Sequence, residues 1–156
     1  MNGAETSVAD FTVRSRQPDD DDRIAELAGQ LGYPGSGRDV GARLDRMRDP
    51  DQYGVYVAEL DGRIVGWIGL YIFRTVETDG HAEISGLVVD ESCRSRGVGA
   101  ALVRAGEAWA RERGCDTITV RTNVTRERAH AFYRREGYGW VKRQETFRKR
   151  LTDQAS

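Results

Sequence analysis

Between His81 and Trp109 the spacing of apolar residues changes period once, and this change organises the reading of the chain. Residues 84–89 are mostly apolar and rich in β-branched side chains, the pattern of a strand covered on both faces. From Val98 onward the apolar positions become Val98, Leu102, Ala105 and Trp109, which share one face of a helix. The intervening stretch reads Arg94-Ser95-Arg96-Gly97-Val98-Gly99. A buried strand thus runs into a basic, glycine-punctuated turn, and the turn opens a helix.

Upstream, residues 11–16 alternate weakly and read as a short strand. Pro18 and the four aspartates 19–22 follow; acidic residues at a helix start cap free N–H groups and favour the dipole, so a helix N-terminus is read there in preference to a metal site. Ile24, Leu27, Ala28 and Leu31 supply its apolar stripe. Residues 32–37 are a loop by their turn chemistry, and Val40, Leu44 and Met47 mark a second short helix ending before Pro50. This helix pair forms either a lid over a substrate or plain cover for a sheet. Residues 53–60 and 63–73 read as strands joined by the tight-turn pair Asp61-Gly62. On the return strand Trp67, Tyr71 and Phe73 share one parity, as core or as substrate wall, and Gly66 and Gly69 signal a bulge or a close approach by another segment.

Downstream, Gly114 supplies a helix C-terminal stop, and residues 115–122 read as a strand parallel to the central one, reached by a right-handed crossover. Thr125 is placed to cap a further helix, with Ala129, Phe132 and Tyr133 as its apolar stripe and Gly137 at its end. Residues 138–142 and 145–151 read as two final strands, and residues 1–8 and 152–156 as loose tails.

The chain has 156 residues, the size of one domain with a self-sufficient core. Lys plus Arg number 24 against 25 Asp plus Glu, a net charge of −1, which argues against a general nucleic-acid binder. Two cysteines, Cys93 and Cys115, and no secretory-looking N-terminus lead to the expectation of a cytoplasmic protein without a disulfide framework. No apolar run approaches membrane-spanning length, so no membrane partner is expected, and no metal site is read.

The basic turn has the chemistry of an anion site. The first turn of a helix carries unpaired N–H groups and about half a positive charge. Gly97 and Gly99 let a bulky ligand approach the backbone, and Arg94 and Arg96 add fork-shaped donors. A phosphate or pyrophosphate suits it. The Gly-Lys-Ser/Thr ending of nucleotide-binding P-loops is missing, and so is the third glycine of the dinucleotide fingerprint. The spacing present is R-x-x-G-x-G, from Arg94, Gly97 and Gly99. In its strand–turn–helix frame it resembles the acetyl-CoA pyrophosphate loop of the GCN5-related N-acetyltransferase (GNAT) family. Downstream, Asn123, Arg128, Ala129, Phe132, Tyr133, Gly137 and Tyr138 are similar to that family's C-terminal motif, with a longer gap after Asn123.

The resemblance implies an α/β fold of the α+β type, with a mixed, mostly antiparallel sheet of six to seven strands splayed between strands 4 and 5 and about four helices. It implies acetyl-CoA as cosubstrate, held by backbone groups of Leu87, Val88 and Val89, by the loop residues Arg94, Ser95, Arg96, Gly97, Val98, Gly99 and Ala100, and by Asn123 and Tyr133. Gly86 is placed for a bulge that causes the splay. Tyr133 is expected to protonate the departing thiolate, or only to hydrogen-bond the cofactor. Glu83 is expected as general base through a water, or as a solvated strand-edge residue; His81 is a weaker candidate, in reach of the acceptor site. Tyr33, Trp67, Tyr71 and Glu83 are candidate acceptor contacts. The acceptor class is a primary amine, on a small molecule of aminoglycoside or polyamine type or on a peptide, and a homodimer is common for such a fold. A CoA-binding sensor or interaction module without catalysis remains open, as does a nucleotide-binding regulator using the same loop.

Overall fold

The structure, a computed structural model, describes residues 11–153; the expected tail at residues 1–8 and the final three positions lie outside it. The elements are β1 (Phe11–Ser15), α1 (Asp21–Gly29), α2 (Gly37–Asp45), β2 (Tyr53–Leu60), β3 (Arg63–Phe73), β4 (His81–Val89), α3 (Val98–Glu112), β5 (Ile118–Val120) and α4 (Glu127–Arg135), with short 3₁₀ turns at Pro18–Asp20 and Glu91–Cys93. The chain divides after Thr122 into two compact units.

In the first unit the strands lie side by side in chain order, antiparallel except for the β4–β5 pair. Each sheet face has its helical cover. Ile24 and Leu27 of α1 pack with Val57, Ile64 and Val88 on one side. On the other side α3 sits so close to β3 that a Cβ on Gly66 would lie 2.9 Å from the Val88 carbonyl and 3.1 Å from Leu102. Gly66 is therefore a close-approach glycine, one of the two meanings its place in a strand allows. The helix ends where Gly114 and Cys115 donate back to Arg111 and Ala110, the stop expected from the sequence.

The aspartate run does open a helix, but two of its carboxylates turn inward. Asp20 grips Arg14 through two bonds of 2.8 and 3.0 Å and accepts the Gln17 N–H, and Asp21 pairs with Arg16. At the far end of β4, Asp90 is held by Arg23, which also donates to the Ile64 carbonyl. The Arg14 guanidinium, outweighing burial, holds Asp20 below its ordinary range; at Asp90 burial is outweighed by the Ser92 N–H and Arg23, again lowering the carboxyl. Because both are lowered on folding, their stabilisation is complete above the ordinary aspartate value of about 3.9 and is lost as pH falls below it. Asp20→Asn is expected to cost about 1.5–3 kcal/mol at pH 7 and to flatten the acid limb of a plot of Tm against pH.

The second unit holds α4 and the chain after it. The two final strands expected at 138–142 and 145–151 are absent: these residues carry no regular secondary structure, so the described residues form five strands, not six or seven. A local strand reading does not make a strand, because sheet stability comes from cross-strand partners. Trp140, Val141, Phe147 and Leu151 are all largely exposed here. Thr125 does not cap α4 either; Arg126 holds that position, and the Thr125 hydroxyl donates to Asn123. At the far end Gly137 stops the helix as expected, with Tyr138 N–H donating to the Tyr133 carbonyl.

Candidate active site

β4 pairs with β3 along its whole length but with β5 only through Ala82, Glu83 and Ile84. Between the pairs Gly69↔Gly86 and Leu70↔Ile84 one residue, Ser85, is left over. The bulge therefore falls one residue before Gly86, the position expected from the sequence. Gly86 has its own reason to be glycine: a Cβ there would lie 2.9 Å from the Trp67 ring. Past the bulge, residues 85–89 have a strand on one side only among the described residues. This is the expected splay between strands 4 and 5, and among those residues it leaves one row of β4 backbone groups without a strand to pair with.

The strand then leads directly into the basic turn. Asp90 accepts the Ser92 N–H, Cys93 is buried, and the backbone turns through positive φ at Ser95 (67°) and Gly97 (83°). Gly97 is the N-cap of α3, and a Cβ there would point into open space. Arg94 and Arg96 are exposed, and Arg94 has an acidic neighbour in Glu91 at 3.8 Å. Val98 is 1 % exposed, so it offers a ligand its backbone rather than its side chain; Gly99 and Ala100 are half-buried behind it. The unpaired row on β4, the positive helix end and two exposed guanidinium groups fit an elongated ligand with an amide arm and a pyrophosphate, as CoA has. Leu87, Val88 and Val89 would take the arm and residues 94–100 the phosphates.

The side chains on one face of this sheet region carry the titratable chemistry. Trp67, Tyr71 and Phe73 do share that face, opposite Val88, Glu83 and His81. Glu83 is 2 % exposed, which corrects the alternative of a solvated edge residue. Its Oε2 accepts the Tyr71 hydroxyl, and its Oε1 faces His81 Nε2 at 3.1 Å and accepts from Arg121 at 3.1 Å. Burial pushes the carboxyl up, but the Tyr71, His81 and Arg121 contacts outweigh it and hold Glu83 below the usual range. Burial and the same carboxylate push the Tyr71 phenol up to about 12. Arg121 lies 5.3 Å above the Phe73 ring, which in turn packs 5.1 Å from His81.

Trp67 joins the core around Ile24 and Leu27, and its indole N–H is buried with no partner among the described residues. Tyr33, in the loop after α1, is 71 % exposed and far from enclosed. In the second unit the Asn123 side chain accepts from the Thr125 N–H and hydroxyl, so its oxygen is occupied in building the turn before α4. Tyr133 packs edge-on against Phe132 and Tyr138, and burial, against a smaller opposing effect of Arg126, raises its phenol to about 12. A cleft of about 750 Å³ between α1 and α2, lined by Asp19, Asp21, Asp22 and Asp45, shares no residue with the Glu83 face. Sequence reasoning missed Arg121 and gave His81 little weight; the His-x-Glu spacing on one strand already puts those two on one face.

The sequence model of the GNAT acetyltransferase family matches residues 21–138. The chain belongs to that family. Among curated GNAT relatives, an uncharacterised N-acetyltransferase of Chlorobaculum tepidum is 30% identical over 140 residues, 87% of this chain and 80% of that one. The aminoalkylphosphonate N-acetyltransferase of Salmonella typhimurium is 37% identical over 79 residues, half of this chain (50%) and 51% of its own. Several of the curated relatives are thus spanned over only about half their length. Among solved structures, an aminoglycoside N-acetyltransferase in complex with CoA superimposes with a TM-score of 0.80 at 20% identity, covering 90% of this chain and 95% of that one. That likeness establishes the GNAT fold.

Proposed function

We propose that this GNAT protein transfers an acetyl group from acetyl-CoA to the primary amine of a small molecule. The observation that carries the reading is the opened edge of β4: pairing with β5 stops at Ile84, and the strand runs on into the Gly97-led helix end with the buried Glu83 beside it. Two relatives, an aminoalkylphosphonate N-acetyltransferase and an aminoglycoside N(6′)-acetyltransferase, are named for small-molecule amines, which supports a small-molecule amine over a peptide.

Acetyl-CoA, when bound, supplies an acetyl group already activated as a thioester. The chain's part is to hold both substrates in one orientation and to manage protons. A free N–H among Leu87, Val88 and Val89 donates to the acyl oxygen, a kind of donor worth about 3–4 kcal/mol at other acyl-transfer sites. Glu83, ionised at neutral pH, takes a proton released by the amine, directly or through a water. Tyr133, held protonated by burial, would donate its hydroxyl proton to the departing sulfur and be reprotonated by the second proton that the amine loses.

Tyr133→Phe separates this from a CoA-binding sensor. An enzyme loses about 10²-fold or more in kcat with its affinity for acetyl-CoA kept, measured by thiol release and by calorimetry. An unchanged rate in the variant would remove Tyr133 from the reaction.

A further inference from the structure

The two ends of the cofactor site fix where an acyl group would lie. The phosphates are assigned to residues 94–100, which follow β4 in the chain. The arm therefore runs back along the open edge of β4, from Val89 towards Leu87, and its thioester end arrives at the bulge of Ser85 and Gly86. Ser85 is exposed there, and Gly86 and Leu87 are half-buried, so the bulge is open to a ligand.

The ring of Trp67 stands over that bulge. At Gly69↔Gly86 the two strands face each other without side chains, and the indole fills the space left. A Cβ on Gly86 would lie 2.9 Å from its Cη2 and 3.0 Å from its Cζ3, and a Cβ on Gly69 would lie 3.5 Å from Cζ3. Trp67 sits opposite Val88, so its ring reaches diagonally back across β4 to cover Gly86, a span that aromatic side chains can make. The same side chain packs against the core cluster of Ile24 and Leu27. Strand backbone thus bars the ring from moving one way and packed core the other. A methyl group fits beside such a ring with no rearrangement; each further methylene has to displace it, and overfilling a packed space is unfavourable.

Resting on the acetyltransferase reading, we propose that Trp67 is the end wall of the acyl pocket and makes the chain selective for acetyl-CoA over propionyl-CoA and longer acyl-CoA donors. The reaction is the same for every donor: the amine nitrogen bonds to the acyl carbon as the C–S bond breaks. Only the substituent on that carbon meets the ring. The role assigned to Trp67 is therefore on the donor side, not in holding the amine.

The test compares acetyl-, propionyl- and butyryl-CoA with wild type, Trp67→Phe, Trp67→Leu and Trp67→Ala. Affinity is measured by calorimetry. Transfer is measured by thiol release with whichever amine of an aminoglycoside, polyamine and aminoalkylphosphonate panel gives the highest rate, and Tm verifies folding. Wild type is expected to favour acetyl- over propionyl-CoA by about 10-fold or more in kcat/KM, and to bind acetyl-CoA more tightly. In Trp67→Leu and Trp67→Ala both ratios fall towards one because propionyl-CoA is used and bound better than by wild type, and Trp67→Ala also gains butyryl-CoA. A residue that only supports the fold would lower all three donors together. The indole N–H has no partner among the described residues, so Trp67→Phe forfeits no hydrogen bond; it is the folded probe if the smaller replacements do not fold, and its ratios shift in the same direction. Equal use of acetyl- and propionyl-CoA by wild type, or a folded variant with the wild-type ratios, overturns the wall and leaves the acetyltransferase reading standing. If no amine of the panel is acetylated, the Kd ratios alone decide. Wild type that neither binds nor uses any of the three donors overturns the parent reading and the wall with it.

Discussion

Glu83→Gln is expected to lower kcat by about 10²–10⁴-fold while leaving the Kd for acetyl-CoA nearly unchanged. The substitution keeps the size of the side chain and one hydrogen-bond-accepting oxygen, but it removes the group that can take a proton. Because Glu83 lies on the face of β4 near its bulge, and the stretch assigned to the cofactor runs from Leu87 onward, the chemical step and cofactor binding separate along one strand. The carboxyl is held below its usual range, so it is charged throughout the neutral region, and its own protonation affects the rate only at pH values below the ordinary glutamate value of about 4.3. The same lowering means that its ion pair with Arg121 stabilises the fold above that value and is lost as pH falls through the folded-state value. A modest drop in Tm for the variant is expected at pH 7, and it shrinks as pH falls through the lowered value of the Glu83 carboxyl. A variant with full kcat would remove Glu83 from proton transfer.

Replacing both Arg94 and Arg96 by Ala is expected to raise the Kd for CoA by about 10–10³-fold with kcat at saturation retained. Charge-assisted bonds to phosphate are worth about 1.5–3 kcal/mol each, and both guanidinium groups are exposed, so solvent screening reduces that sum. The contrast with a neutral ligand gives the sharper reading. Wild-type affinity for CoA should fall as salt is raised, and the double variant should show a much flatter salt dependence. Affinity for a pantetheine fragment without phosphates should be the same in both. Equal CoA affinity in wild type and double variant would place the pyrophosphate elsewhere than residues 94–100.

The stretch from β3 to α3 was legible because its signals are local. The change of period at Val98, the glycine at an N-cap with positive φ, and the shared parity of Trp67, Tyr71 and Phe73 all follow from neighbours within a few positions. The surroundings of Glu83 were not. Arg121 reaches it only because β5 pairs in parallel with β4 in the register Glu83↔Thr119, and no pattern within either strand encodes that register. The inward turn of Asp20 and Asp21 has the same origin: acidic residues at a helix start satisfy a local rule, and the arginines of β1 that claim them are a tertiary fact. The strand reading of residues 138–151 shows the converse. It satisfies the local rule for a strand, yet these residues carry no ladder.

The decisive measurement is release of free thiol from acetyl-CoA by the whole chain across aminoglycosides, polyamines, aminoalkylphosphonates, amino acids and short peptides, with the acetylated product identified by mass. Saturable release that depends on a small-molecule primary amine, with the added mass on that amine, is the expected result. No amine-dependent release from any of them, together with no detectable binding of acetyl-CoA, would contradict the assignment built on the opened edge of β4 and the Arg94-to-Ala100 turn.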